Sequence, residues 1–252
     1  MPFFLLAFGF TWALQVPGVA MWLVHGPGHG EALMPLAVLG IFGPLVAAIT
    51  LTARAEGRDG VRRLLAPLRR WRVSPAWYVM ALFLPGALLT GGLWLMRLAG
   101  REGPVTYFPV VAGVVIAIVV SVAEEVGWRG YAQPRLEARY GPFAGSGVLG
   151  VLWTLWHIPM FLGADVPLEL LPVMLLYFTG GSLLFAFILR GTGSLLLVVL
   201  AHVGAHLNNS HADLPGDTLP LLVNAVVYAA LGLAVSRGLA PPRPATTLAS
   251  PQ

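Results

Sequence analysis

The chain is dominated by apolar runs long enough to cross a bilayer, and that feature leaves few folds open. A helix needs about 20 consecutive apolar residues to span hydrocarbon, and there only a helix or a closed barrel satisfies its own backbone. Runs of this kind cover 3–24, 32–53, 75–99, 107–126, 143–163, 170–189, 194–208 and 218–236, the seventh being the shortest and most polar. Composition agrees: 57% of the 252 residues are hydrophobic and 10% are charged, against about 25% charged in soluble domains. We therefore expect an all-α polytopic membrane protein with about eight transmembrane helices. Residues 1–236 form one transmembrane domain, and 237–252, rich in Pro, Ala and Thr, form a disordered cytoplasmic tail. The first run lacks the basic segment of a secretory leader and exceeds the length of its apolar core, so it reads as a membrane helix.

Orientation follows from the arginines, which supply all fifteen basic residues. Arg54, Arg58, Arg62, Arg63, Arg69, Arg70 and Arg72 share one loop, and Arg129, Arg135, Arg139, Arg190, Arg237 and Arg243 reach the same side of an eight-span path. Arg97 and Arg101 fall opposite, together with Glu31, Glu102, Asp165, Glu169, Asp213 and Asp217. Cytoplasmic loops carry the arginine excess, so both termini are expected in the cytoplasm. Within 54–74, Leu64, Leu65, Leu68 and Trp71 stand between arginines, a pattern suited to lying on anionic headgroups. Scattered in this way, the arginines build no basic domain for nucleic acid. The chain has no cysteine, which removes thiolate nucleophiles and Cys-based metal sites. A reactive site must use Glu, Asp, His, Ser or Arg.

Ionisable groups inside a span cost at least about 2.5–3.5 kcal/mol each, so each needs a reason. Glu124 and Glu125 sit near the cytoplasmic end of the fourth run, His157 lies in the fifth, and His202 and His206 lie in the seventh. Helical spacing puts Glu125 and Arg129 one turn apart, where they can pair and leave Glu124 free. A carboxylate in a low-dielectric pocket is suited to act as a general base, and a neighbouring histidine can hold the water it deprotonates. Trp153 and His157 share a face, and Pro159 loosens the backbone just beyond. His202 and His206, at i and i+4, suit either two metal ligands or two hydrogen-bond donors aimed at one oxygen. Gly204 and Ala205 allow close approach of a helix or a substrate backbone. His25, His29 and His211 fall in outer loops and read as solvated; the tryptophans read mostly as interfacial or lipid-facing. Thr179, Ser182 and Ser194 belong to no Gly-x-Ser-x-Gly elbow and are assigned to helix packing.

At these residues the sequence resembles the CPBP (CAAX protease and bacteriocin-processing) family of intramembrane proteases, Rce1/Abi-like. Glu124-Glu125-x-x-x-Arg129 matches its Glu-Glu-x-x-x-Arg element, and Trp153 to His157 matches aromatic-x-x-x-His, with Trp in place of the usual Phe. The third element departs from pattern: His-x-x-x-Asn becomes His202 to His206, with Asn208 and Asn209 just beyond. The resemblance covers roughly residues 75–236. It implies a proteolytic cavity among the fourth, fifth and seventh helices, open to the cytoplasm, in which Glu124 and His157 activate water. His202 and the residue at 206 would stabilise the oxyanion, and Glu125, held by Arg129, would support the site. No cofactor is favoured; zinc, held by Glu124, His157, His202 and His206, is the alternative, and imidazole at 206 ligates zinc better than an amide. One distance does not close. His157 lies about 21 Å into a helix that enters at Phe143, whereas Glu124 and His202 lie nearer the cytoplasmic face. The fifth helix is therefore expected to begin outside the membrane, with residues 142–147 at the surface.

The expected function is an intramembrane endopeptidase that hydrolyses a peptide bond near the membrane with Glu/His-activated water. Its partners are a peptide or membrane-protein substrate and the lipid bilayer, not nucleic acid; nothing in the sequence speaks to oligomeric state. The alternatives are an ion- or proton-coupled carrier, which lacks an inverted repeat here, and an inactive scaffold or immunity protein, hinted at by His206. An Arg-only, Ala/Gly-rich chain suggests the bacterial inner membrane and an unprenylated substrate.

Overall fold

The computed structural model describes residues 2–26, 29–84, 98, 100, 110–164, 166–209 and 219–236, and no strand occurs among them. The helices are α1 (Pro2–His25), α2 (Met34–Gly40), α3 (Gly43–Leu65), α4 (Pro75–Leu84), α5 (Val110–Glu125), α6 (Gln133–Tyr140), α7 (Pro142–Trp156), α8 (Ile158–Gly163), α9 (Leu171–Thr192), α10 (Leu195–Asn209) and α11 (Leu219–Ser236). Four stretches are long and apolar enough to cross a membrane: Pro2–His25, Glu31–Arg69, Pro142–Gly163 and Leu168–Thr192. Shorter apolar helices at Pro75–Leu84, Leu195–His206 and Ala225–Val235 accompany them. The protein is a polytopic membrane protein. Its tail from 237, Arg97, Arg101, Glu102, Asp165, His211, Asp213, Asp217 and the side chains of Asn208 and Asn209 lie outside the described residues.

The pattern of burial reflects lipid rather than water outside. On α1 the buried stripe is Phe3, Ala7, Thr11 and Gln15, spaced one turn apart, while Leu5, Leu23 and Val24 are exposed. Polar groups point inward because hydrocarbon offers them no partner. Thr11 Oγ1 donates to Gly40 O at 2.7 Å and accepts from Trp156 Nε1 at 2.8 Å. Gln15 Nε2 donates to Ala37 O and Trp12 Nε1 to Trp156 O. This first helix therefore ties directly to the end of α7.

Several expectations from sequence are corrected. The run 32–53 is not one helix: it breaks at Ile41 and Phe42, between α2 and α3. There the carbonyl of Gly40 turns to Thr11, and a Cβ at Gly43 would collide with Thr11 and Ala7. The basic loop begins as helix, since α3 continues to Leu65 with one interruption at Gly57, φ 64° and ψ −158°. Leu64, Leu65 and Leu68 are partly buried against the protein core, while Trp71 is 59% exposed.

The largest correction concerns the fourth run. α5 does end at Glu124 and Glu125, but no loop follows, because the backbone continues through a π-helical turn, Val126–Ala132, into α6. Gln133 N donates to Trp128 O, five residues back; such widened turns gather at functional sites. The turn presses against α3: a Cβ at Gly127 would lie 2.5 Å from Pro44 Cβ, so only glycine fits. This extension also closes the distance left open above. Gly141, φ 81°, ends α6 and starts α7, and it stands almost equidistant in sequence from Glu124 and His157. The two arms of the hairpin bring Glu124 against Trp153, one turn before His157. Glu137 fastens the hairpin, accepting from Gln133 Nε2 and Arg190 Nη1, both at 2.8 Å, and from Ser146 Oγ at 3.2 Å.

Candidate active site

Four helical elements converge where the ionisable residues meet. Arg129, counted with the loop arginines above, is instead fully buried, because the π-helical turn carries it inward. Its Nη1 donates to Glu125 Oε1 at 2.9 Å, the pairing expected from i,i+4 spacing. The guanidinium is sandwiched by aromatic rings, 4.2 Å from the Trp153 centroid and 4.8 Å from that of Phe185. Both contacts attract a desolvated cation. The same Glu125 oxygen accepts from His202 Nδ1 at 2.7 Å, joining α5 to α10. Glu124 points elsewhere, as neighbouring helical residues must, and its Oε2 accepts from Trp153 Nε1 at 2.7 Å. Trp153 thereby links the two carboxylates: its ring edge serves Glu124 and its face serves the cation that holds Glu125.

The histidines are held in definite tautomers. Trp153 O can only accept, so His157 Nδ1, 2.8 Å away, carries its proton and Nε2 is left for other partners. His202 likewise spends Nδ1–H on the carboxylate of Glu125, leaving the Nε2 lone pair. His206 stacks on His202 with centroids 4.6 Å apart and planes 13° apart, as i,i+4 spacing allows. Its Nε2 is buried without a hydrogen-bond partner among the described residues. His157 sits at the break between α7 and α8, where Pro159 follows, so the expected loosening occurs at the histidine itself.

Glu124, His202 and His206 offer one ligand atom each, all within 4.8 Å of one another. His157 is outside this trio but lines a cavity of about 70 Å³ with His202 and His206, walled by Trp153, Phe178 and Phe185. The trio suits a zinc ion: one carboxylate and two imidazoles form a common ligand set, and a carboxylate on the far nitrogen of His202 is the usual support for a metal-binding imidazole.

Several wall residues carried no signal as single letters. Phe178, Gly181 and Phe185 lie at one-face spacing on α9, and Tyr228 reaches in from α11; their periodicity was visible, but not the helix they face. The tryptophans nearest the site contradict the expectation of belt positions. Trp128 and Trp156 are fully buried and Trp153 is 5% exposed, because polar partners and rings are available only inside. Ser182 does pack helices, donating to Ser146 O. Ser194 instead caps α10: its Oγ accepts from Leu197 N and donates to Arg70 O. His25 and His29 are exposed as expected.

Residues 106–208, which contain all three motifs, match the family model for type II CAAX prenyl endopeptidases, Rce1-like. The chain is also 24% identical to the CAAX prenyl protease 2 of Methanococcus maripaludis, over 86% of each chain. The matched segment begins just before α5 and ends in α10, so α1, which grips Trp156, and α11, which brings Tyr228, lie outside it.

Proposed function

We propose that this protein is an intramembrane endopeptidase that hydrolyses a peptide bond with a water activated at Glu124. The observation that carries the reading is the trio of Glu124, His202 and His206, buried within an apolar bundle and each within 4.8 Å of the others. Glu124 takes a proton from water as the oxygen attacks the scissile carbonyl, then returns it to the leaving amine. His157, oriented by Trp153 O, holds the water through Nε2. The two remaining histidines divide their labour. A neutral His202, with Nδ1–H committed to Glu125, accepts at Nε2 and becomes an oxyanion donor only after taking a proton. His206, whose Nε2 has no partner among the described residues, serves as the resting-state donor to the oxyanion.

Glu124, His202 and His206 would also hold a zinc ion, which would acidify its water and polarise the carbonyl. The roles of Glu125, Arg129 and Trp153 are the same in either case: they orient His202 and Glu124. Both prenylated and unprenylated C-terminal peptides belong in the test. Purified protein should cleave members of such a panel, and Glu124→Ala should abolish cleavage. Ion flux without cleavage would instead make the protein a carrier, and neither activity would make it a scaffold.

A further inference from the structure

The segment that leaves α3 is not an amphipathic helix lying on the surface. Its leucines are partly buried against the protein core, Leu68 beside Val199 and Val203 of α10. After a short 3₁₀ turn, Ala66–Arg69, the chain runs without helix up to the start of α4, and the protein takes up its carbonyls. Ser194 Oγ donates to Arg70 O, and Tyr78 Oη donates to Trp71 O at 2.6 Å. The side chains of Arg69, Arg70, Trp71 and Arg72 are left exposed along a strap that is fixed from behind.

Not every arginine near this strap is available to a ligand. Arg62 and Arg63 are paired at 2.9 and 2.8 Å with Asp59 and Glu56, the two carboxylates of residues 54–72. Among the described residues no carboxylate pairs with Arg69, Arg70 or Arg72; the Arg72 guanidinium lies 5.1 Å from the centroid of the Trp71 ring. Three guanidiniums without a counter-charge, each a fork of donors that matches phosphate oxygens, thus flank one exposed indole. The membrane-crossing stretch Glu31–Arg69 ends at this strap, which puts it where a spanning segment meets headgroups. An acidic soluble partner would use the arginines but has no need of the indole, whereas indole beside arginine suits an anionic bilayer interface.

We propose that residues 69–72 are a docking strap for anionic phospholipid headgroups. Its fastening through Ser194 and Leu68 then holds the N-terminal end of α10, the helix of His202, at the membrane surface. The strap lies apart from the histidine cavity and does not depend on the peptidase reading. The test is native mass spectrometry of the full chain released from nanodiscs holding phosphatidylglycerol and phosphatidylcholine in equal amounts, with the retained lipids counted. Wild type should retain phosphatidylglycerol in preference. Each arginine near an anionic surface contributes about fivefold in affinity, so Arg69→Gln/Arg72→Gln should weaken phosphatidylglycerol retention about 25-fold. Arg62→Gln/Arg63→Gln removes the same charge from side chains already held by carboxylates and should weaken it less than about fivefold. Raising the salt on wild type from about 0.1 to 1 M, which shortens the screening length from about 10 to 3 Å, should erode the preference and keeps the test alive if a variant misfolds. Equal retention of the two lipids by wild type, equal losses in the two double variants, or a preference untouched by salt would overturn the proposal. Displacement of the lipid by a Glu-rich soluble peptide would also overturn it, and would make the strap a protein-docking surface.

Discussion

Glu125→Gln should destabilise the protein far more than Glu124→Gln, although the residues are adjacent and both buried. Glu125 Oε1 accepts from Arg129 Nη1 at 2.9 Å and His202 Nδ1 at 2.7 Å, whereas Glu124 accepts a neutral indole N–H that glutamine can still receive. Removing the anion leaves Arg129 as an uncompensated cation with no exposure, a change that costs about 3–5 kcal/mol. The Trp153 and Phe185 faces attract the cation by about 1–2 kcal/mol, but they already do so in the wild type and do not reduce the difference. Glu124→Gln loses about 1 kcal/mol. At roughly 2–4 °C per kcal/mol for a chain of this size, Glu125→Gln should melt about 6–20 °C lower. The chain's eight tryptophans supply the intrinsic fluorescence to follow this in detergent. The double variant Glu125→Leu/Arg129→Met should recover most of the loss, since an apolar pair replaces the ions. It should remain impaired in hydrolysis, because His202 has lost its Nδ1 partner. If both single variants melt within about 2 °C of one another, Arg129 does not depend on Glu125 and the reasoning fails.

Three further outcomes follow from named contacts. His206→Asn should keep most activity if His206 is an oxyanion donor, while His206→Ala should lose about 100-fold in turnover; if it ligates metal, both should fail and lose zinc in elemental analysis. Full activity in His206→Ala would move the role to Asn208 or Asn209. Thr11→Val removes the hydroxyl between Gly40 O and Trp156 Nε1 and should cost about 1–3 kcal/mol in detergent melting, since membrane hydrogen bonds average roughly 0.6 and reach about 1.7 kcal/mol. Because the chain has no native cysteine, single cysteines at Arg63 and Glu31 should label from opposite sides of the membrane, Arg63 from the cytoplasm; labelling of both from outside would break the topology.

What was legible in the sequence is what a single helix decides for itself. The Glu125–Arg129 pair, the His202–His206 stack and the Trp153–His157 face all follow from i,i+4 spacing, and the lipid-spanning runs follow from length. What was hidden depends on neighbours. Nothing local announces that Glu125 meets His202 across the bundle, or that Thr11 on the first helix holds Trp156. The pairing of Arg129 was legible but its complete burial was not, because the π-helical turn that draws it inward has no periodic signature. Trp128 and Trp156 were misplaced for a related reason: belt statistics describe rings that find water, while these two pack on partners inside.

The central claim is that Glu124 activates the water that cleaves the peptide, and single-turnover cleavage in ¹⁸O-labelled water tests it most directly. Wild type should place one ¹⁸O in the new carboxylate, and Glu124→Gln, folded and melting near the wild-type temperature, should cleave about 100- to 10,000-fold more slowly, the range general-base catalysis supplies. Cleavage by Glu124→Gln at the wild-type rate, with the same label uptake, would contradict the account.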